Sequence, residues 1–193
     1  ERTVCNGNSA NIAGGGLVLG RGSVAVSNCI SQNEAYLGGG VMNWSGSLEG
    51  SDILANTGSV GGGLLVGGGN TINCTIVGNV AESTGGGIMC YPLASPELAI
   101  QIDLAGIDNS EVSHCLIAQN SAAAGGGVTL SDSMGIEAST IQSNTASSGG
   151  GGVLVIYGGK LRSTLVTDNT AREGGGVCCI GRAELTDCTL FAN

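Results

Sequence analysis

Basic side chains are scarce in this chain. Arg2, Arg21, Lys160, Arg162, Arg172 and Arg182 stand against fifteen Asp and Glu, giving a net charge of −9. Nucleic-acid binding needs a clustered basic footprint that neutralises phosphates, and six scattered cations do not supply one. Anionic membrane surfaces are disfavoured on the same ground. No run approaches the eighteen or so apolar residues that a transmembrane helix needs. His114 is the one histidine and no Cys-x-x-Cys occurs, so no metal or cofactor site is read. No signal peptide is visible. The collagen G-X-Y period is missing too, although glycine supplies 37 of 193 residues.

Those glycines are placed with care. Triplets begin at Gly14, Gly38, Gly61, Gly85, Gly125 and Gly174, with a run of four from Gly149, and each is followed by an aliphatic residue. An Asn-x-Ala or near variant precedes each triplet, at Asn8, Asn33, Asn56, Asn79, Asn120, Asn144 and Asn169; Asn193 ends the chain. Successive asparagines are 25, 23, 23, 41, 24, 25 and 24 residues apart. A fixed period in the twenties with short strand-like runs is the signature of a solenoid. The spacing predicts one all-β domain over 1–193, a right-handed, single-stranded parallel β-helix of seven to eight turns. Each turn takes about 24 residues and three short strands. The chain starts inside a repeat and stops at an asparagine that should open the next, which reads as a piece of a longer protein.

Three residues before the asparagines stand Cys5, Ile30, Ile53, Ile76, Ile117, Ile141, Val166 and Leu190. Side chains alternate across a strand, so these residues should stack as one internal column about 4.8 Å apart. The asparagines themselves are expected to form a structural ladder, each side-chain amide bonding its copies above and below. The glycines permit positive φ or close backbone approach at a corner.

Ile76-Val77-Gly78-Asn79 and Gly125-Gly126-Gly127-Val128 carry a resemblance. They are similar to the paired Phe-x-x-Asn and Gly-Gly-Ala-[Ile/Leu/Val] motifs of the chlamydial polymorphic membrane proteins, with Ile in place of Phe and Gly in place of Ala. Related repeats occur in other large bacterial β-helix surface proteins. The resemblance covers nearly the whole chain. It implies a secreted or surface-exposed adhesin, often autotransported through an outer-membrane barrel, that meets a host or neighbouring cell surface.

Cys74, Cys115 and Cys188 lie five before an asparagine, where other turns carry Ser51, Ser139 and Thr164. They read as small residues in a column. Cys74–Cys115 and Cys5–Cys29 fall on consecutive turns and are candidate disulfides, with stacked thiols the alternative.

Two features exceed the repeat. The strand after each glycine run is apolar on both rows. Val18, Met42, Leu65, Met89, Thr129, Leu154 and Cys178 form an outward row about 30 Å long, extended by Trp44, Tyr91 and Ile156. Such a stripe marks a candidate interface for lateral self-association or a partner, unless other chain covers it. By contrast, the second strand carries Glu49, Glu137, Lys160, Arg162 and Glu184, a solvated face. The other feature is one long turn, Gly85 to Gly125, with an insertion near 91–107 that holds both prolines, Pro92 and Pro96. Insertions in solenoids project from one face and often bind.

Many right-handed β-helices cleave acidic glycans as lyases or hydrolases, the rival class here. A hydrolase needs two facing carboxylates and a lyase a base, usually with Ca²⁺. Asp52, Asp132, Asp168 and Asp187 share no slot, and a negative chain repels an anionic polymer. The reading is therefore a non-enzymatic structural or adhesive rod. Its partner is a glycan or protein on another surface, or a second copy lateral or end to end.

Overall fold

The computed structural model describes residues 2–91, 111–132 and 134–193. Every element in it is a strand and every strand pairing is parallel, in a β-solenoid of about 24 residues per turn. The turn carries four strands rather than three, and their copies stack into four sheets of eight, six, seven and seven strands.

The turn from Gly61 shows the design. Leu64–Val66 lies in the first sheet, Asn70–Ile72 in the second, Thr75–Val77 in the third and Val80–Thr84 in the fourth. Left-handed backbone makes the corners: Asn73 at φ 55°, Gly78 at φ 68° and Gly85 at φ 67°. The corner ahead of the asparagine holds Gln32, Ala55, Gln119, Ser143 and Asp168 in other turns, all at positive φ. A left-handed residue other than glycine costs on the order of 1–2 kcal/mol. Bonds between turns offset that cost here.

The predicted inner column is present in register. Cys5 pairs with Ile30, Ile30 with Ile53, Ile53 with Ile76, and so on through Ile117, Ile141 and Val166 to Leu190. From Ile30 to Val166 every member is fully buried. Each such side chain contributes roughly 1.5–3 kcal/mol relative to exposure. The first sheet points Val41, Leu64, Ile88, Val128 and Val153 into the same core, and the second adds Leu48, Val112, Ile136 and Leu161. The fourth strand buries Ala35, Gly58, Ala81 and Ala146, and a Cβ on Gly58 would already lie 3.1 Å from the Ala35 carbonyl oxygen. That is the physical content of the Asn-x-Ala motif.

The asparagine ladder runs unbroken. The Asn56 side-chain amide donates to Asn79 Oδ1 at 3.0 Å and to the Ile30 carbonyl at 3.0 Å. Its own Oδ1 accepts the backbone N–H of Asn33 at 2.9 Å and the Asn33 amide at 3.0 Å. All four hydrogen-bonding sites of the side chain are therefore used while it is fully buried. The pattern repeats from Asn8 to Asn193. The 41-residue step from Asn79 to Asn120 has the same 2.9 and 3.0 Å bonds as the other steps between Asn33 and Asn169.

Each glycine of a triplet does something different. Gly61 takes φ +64°. A Cβ on Gly62 would lie 2.3 Å from the Val80 carbonyl oxygen, and one on Gly63 would strike the Asn79 amide at 2.9 Å. The corner is thus closed by backbone packed on backbone and by the ladder itself. In the run of four, Gly150 takes the positive φ, so the functional triplet there is Gly150–Gly152.

The long turn leaves the stack after Ile88–Cys90 in the first sheet and rejoins it at Glu111–Ser113 in the second, paired in register with Asn70–Ile72. The predicted insertion near 91–107 lies, beyond Tyr91, outside the described residues.

Candidate functional site

The outward row of the first sheet is where sequence reasoning placed an interface. The strands do turn that row away from the core, but most of it does not reach solvent. Met42 is 0% exposed, Leu65 2%, Leu154 5% and Met89 9%. The fourth strand of each turn runs through the glycine corner into the first strand of the next. Ala13, Leu37 and Val60, each just ahead of a triplet, fold against Met42, Leu65 and Met89 and make a second small core together with Trp44. One turn beyond Val60 and Met89, Thr84 and Thr129 replace this apolar contact with a hydroxyl pair at 2.6 Å. Met42, Leu65 and Met89 are therefore packing residues rather than an open interface, and Leu154 is buried beside the groove described next. What remains accessible is Val18, half exposed, and the next outward column, with Trp44 and Ile156 half-buried and Tyr91 and Ile180 exposed. Toward the C-terminal turns the seam opens into a groove of about 210 Å³ lined by Leu154, Arg172, Cys178 and Ile180.

All eight cysteines are free thiols, so neither candidate disulfide is present. For Cys5 and Cys29 the reason is orientation. Cys5 lies opposite the inward Ile30, whereas Cys29 lies opposite Val4 and Asp52 on the outer side of the same strand row. Cys74 and Cys115 do share a column. Each thiol donates to the carbonyl two residues back, Ile72 at 3.3 Å and Ser113 at 3.2 Å, bridging a left-handed corner residue. Ser51, Ser139 and Thr164 make the same bond from the same slot. Their hydroxyls also accept a backbone N–H of the preceding turn, as Cys115 N–H to Ser139 Oγ at 3.1 Å. The column is thus a second ladder, which the period revealed as a slot but whose bonding no sequence signal announced. The hydrogen bond shared with Cys74, together with burial, pushes the Cys115 thiol up, and burial pushes the Cys90 thiol up to about 12. These thiols are shielded, not nucleophilic.

The second sheet presents the expected charged face. Glu137, Arg162 and Glu184 are exposed and Arg162 pairs with Glu184 at 2.9 Å, a surface contact worth little. Among the described residues no group of three or more His, Cys, Asp or Glu could hold a metal ion, and no helix is long and apolar enough to cross a membrane.

The fourth sheet, which sequence reasoning did not resolve as a strand at all, carries an open polar groove of about 290 Å³. Its floor is Glu34–Leu37 and Thr57–Val60, four residues each; its flanks are Ser9–Ala13 and Val80–Thr84, five residues each. The register slips between Ala10 and Ala13 on one side and between Gly58 and Val60 on the other. Each flank thus has an extra residue that bulges, while the two middle strands have none. Asn11, Glu34, Tyr36, Thr57, Ser59 and Glu82 line the depression, and Ser59 donates its hydroxyl to Glu82 at 2.5 Å.

Compared with protein-family models, curated proteins and solved structures, the chain matches none. The class its own geometry defines is the parallel β-solenoid, of about seven turns.

Proposed function

We propose that the chain is a structural and adhesive rod, extracellular or on an outer cell surface, that mediates attachment or self-association. The observation that carries this reading is the continuity of the stack. Asn79 bonds Asn120 across 41 residues at the distances of the other interior steps, so the stack keeps its register across the long turn. A scaffold that keeps register regardless of what it displays suits presentation rather than catalysis. The resemblance to the chlamydial polymorphic membrane proteins and other bacterial β-helix passengers supports the surface location and an adhesive role. The partner on this reading is a glycan or protein of a host or neighbouring cell.

The test uses the 193-residue chain immobilised on beads and exposed to cells, beside a denatured control. Saturable attachment by the folded chain alone is expected. Failure of the folded chain to attach to any surface, or to itself in sedimentation, overturns the reading. So does release of unsaturated uronates or new reducing ends from glycan substrates, the mark of the lyase or hydrolase class.

A further inference from the structure

The polar depression on the fourth sheet is not explained by the stack. Stacking needs the inward residues of that sheet, Ala35, Gly58 and Ala81, and the asparagines beside them. It does not need the extra residue in Ser9–Ala13 and in Val80–Thr84, and the two middle strands manage without one. Two bulges facing each other across two unbulged strands make a saddle, and bulges of this kind commonly re-aim side chains at a site.

The lining identifies an occupant. Tyr36 is 59% exposed, with its ring unclaimed by either core cluster. A solvent-facing ring in a groove whose other large side chains are hydroxyls, an amide and carboxylates offers one flat apolar face within a field of hydrogen-bonding groups. Glu34 and Glu82 accept hydrogen bonds; Asn11, Thr57 and Ser59 donate and accept. Ser59 already holds Glu82 in place, which pre-orients that acceptor. The lining has no Lys or Arg. An anionic ligand would meet two carboxylates on a chain of charge −9 and be repelled. With two carboxylates rather than three or more, the groove lacks a cation cage. The chemistry that fits is an uncharged polyhydroxylated ring with an apolar C–H face.

We infer that this groove is a binding site for a short neutral oligosaccharide, with a sugar ring stacked on Tyr36 and its hydroxyls held by Glu34, Glu82 and Asn11. The inference rests on the attachment reading and gives it a seat on the molecule. Four strands span about 14 Å across the sheet, which limits the ligand to a few sugar units.

The test is a titration of the intact 193-residue chain against immobilised neutral oligosaccharides and, in parallel, uronate-bearing ones. Saturable binding of neutral sugars alone is expected. Tyr36→Ala should weaken it roughly tenfold or more. Glu82→Gln should weaken it as well, and Glu137→Gln, on the second sheet, should leave it unchanged. Tyr36 and Glu82 are exposed, so both variants should keep the wild-type circular dichroism. The proposal is overturned by absence of saturable binding to any neutral sugar, by preference for uronates, or by full affinity in both Tyr36→Ala and Glu82→Gln. Cell attachment that persists undiminished in Tyr36→Ala also overturns it, while leaving the attachment reading standing; loss of attachment by the wild-type chain would instead sink that reading.

Discussion

A buried asparagine is expensive unless every polar atom finds a partner, and in this chain the partners come from the turn above and the turn below. Asn79→Ala removes the acceptor for the Asn56 backbone N–H and for one Asn56 amide hydrogen, and takes the donor from the Ile53 carbonyl. All of these groups are sealed from water. Loss of about 4 kcal/mol is expected, read as a lower urea midpoint. Asn8→Ala, at an exposed position that donates only to Asn33, should cost about 1 kcal/mol or less. Equal effects at the two sites would mean that the ladder adds nothing beyond local turn chemistry. Thr71 gives the opposite sign. It sits in register between Leu48 and Val112, fully buried, and its hydroxyl has no hydrogen-bond partner. Thr71→Val keeps the shape and removes the orphan group, so a gain of about 1 kcal/mol is expected in the same denaturation experiment. A lower midpoint for Thr71→Val would show that the hydroxyl is satisfied.

Among the elements, the first strand and the fourth strand are best understood together. The side chains just ahead of the glycine triplets close over the outward row of the next strand, turning an apparent stripe into a second core. Leu65→Lys must therefore bury a charge and should destabilise by more than about 3 kcal/mol, whatever the oligomeric state. Ile156→Lys, half-buried on the accessible column, should change stability by less than about 1 kcal/mol. Thermal melts paired with sedimentation separate the two effects; a stable, monomeric Leu65→Lys would return that row to the interface. Periodicity made the inner column and the asparagine slot legible, because both repeat one residue type at one spacing. The fourth strand was hidden for two physical reasons. Its inward residue is alanine or glycine, which carries no apolar signal, and the corner ahead of it is turned by residues such as Ala55 and Gln119 without glycine or proline to mark it. Nor does a sequence pattern report which side chains fold over an outward row, and that decides whether the row is wet. The groove around Tyr36 was illegible for the same reason, since it arises from bulges that shift register by one residue.

For the whole molecule, the governing fact is that each turn touches only its neighbours, so stability is local and passed along the axis. Val112 and Ile117 have a turn on either side and are fully buried, whereas Leu185 and Leu190, on equivalent inward rows of the last turn, are 41% and 44% exposed. Amide hydrogen exchange should follow that gradient. In the isolated 193-residue chain, protection is expected to be lowest across Val177–Phe191 and to rise toward the turns that contain Ile76, Ile117 and Ile141. The informative position is the long turn. A solenoid weakened by its insertion would open there first and exchange as two blocks on either side of it. The bonds say otherwise. Val80 N–H still reaches the Asn56 carbonyl, Ser121 N–H reaches Asn79, and Ile88 N–H reaches Gly127, at 2.9 Å each. The backbone ladder is thus continuous on both sides of the excursion, and the strands flanking it should exchange as slowly as their neighbours. A sharp fall in protection at Ile88–Cys90 and Glu111–Ser113 would show that the ladder does not carry cooperativity past the insertion, and the rod would then be two shorter blocks joined at one corner.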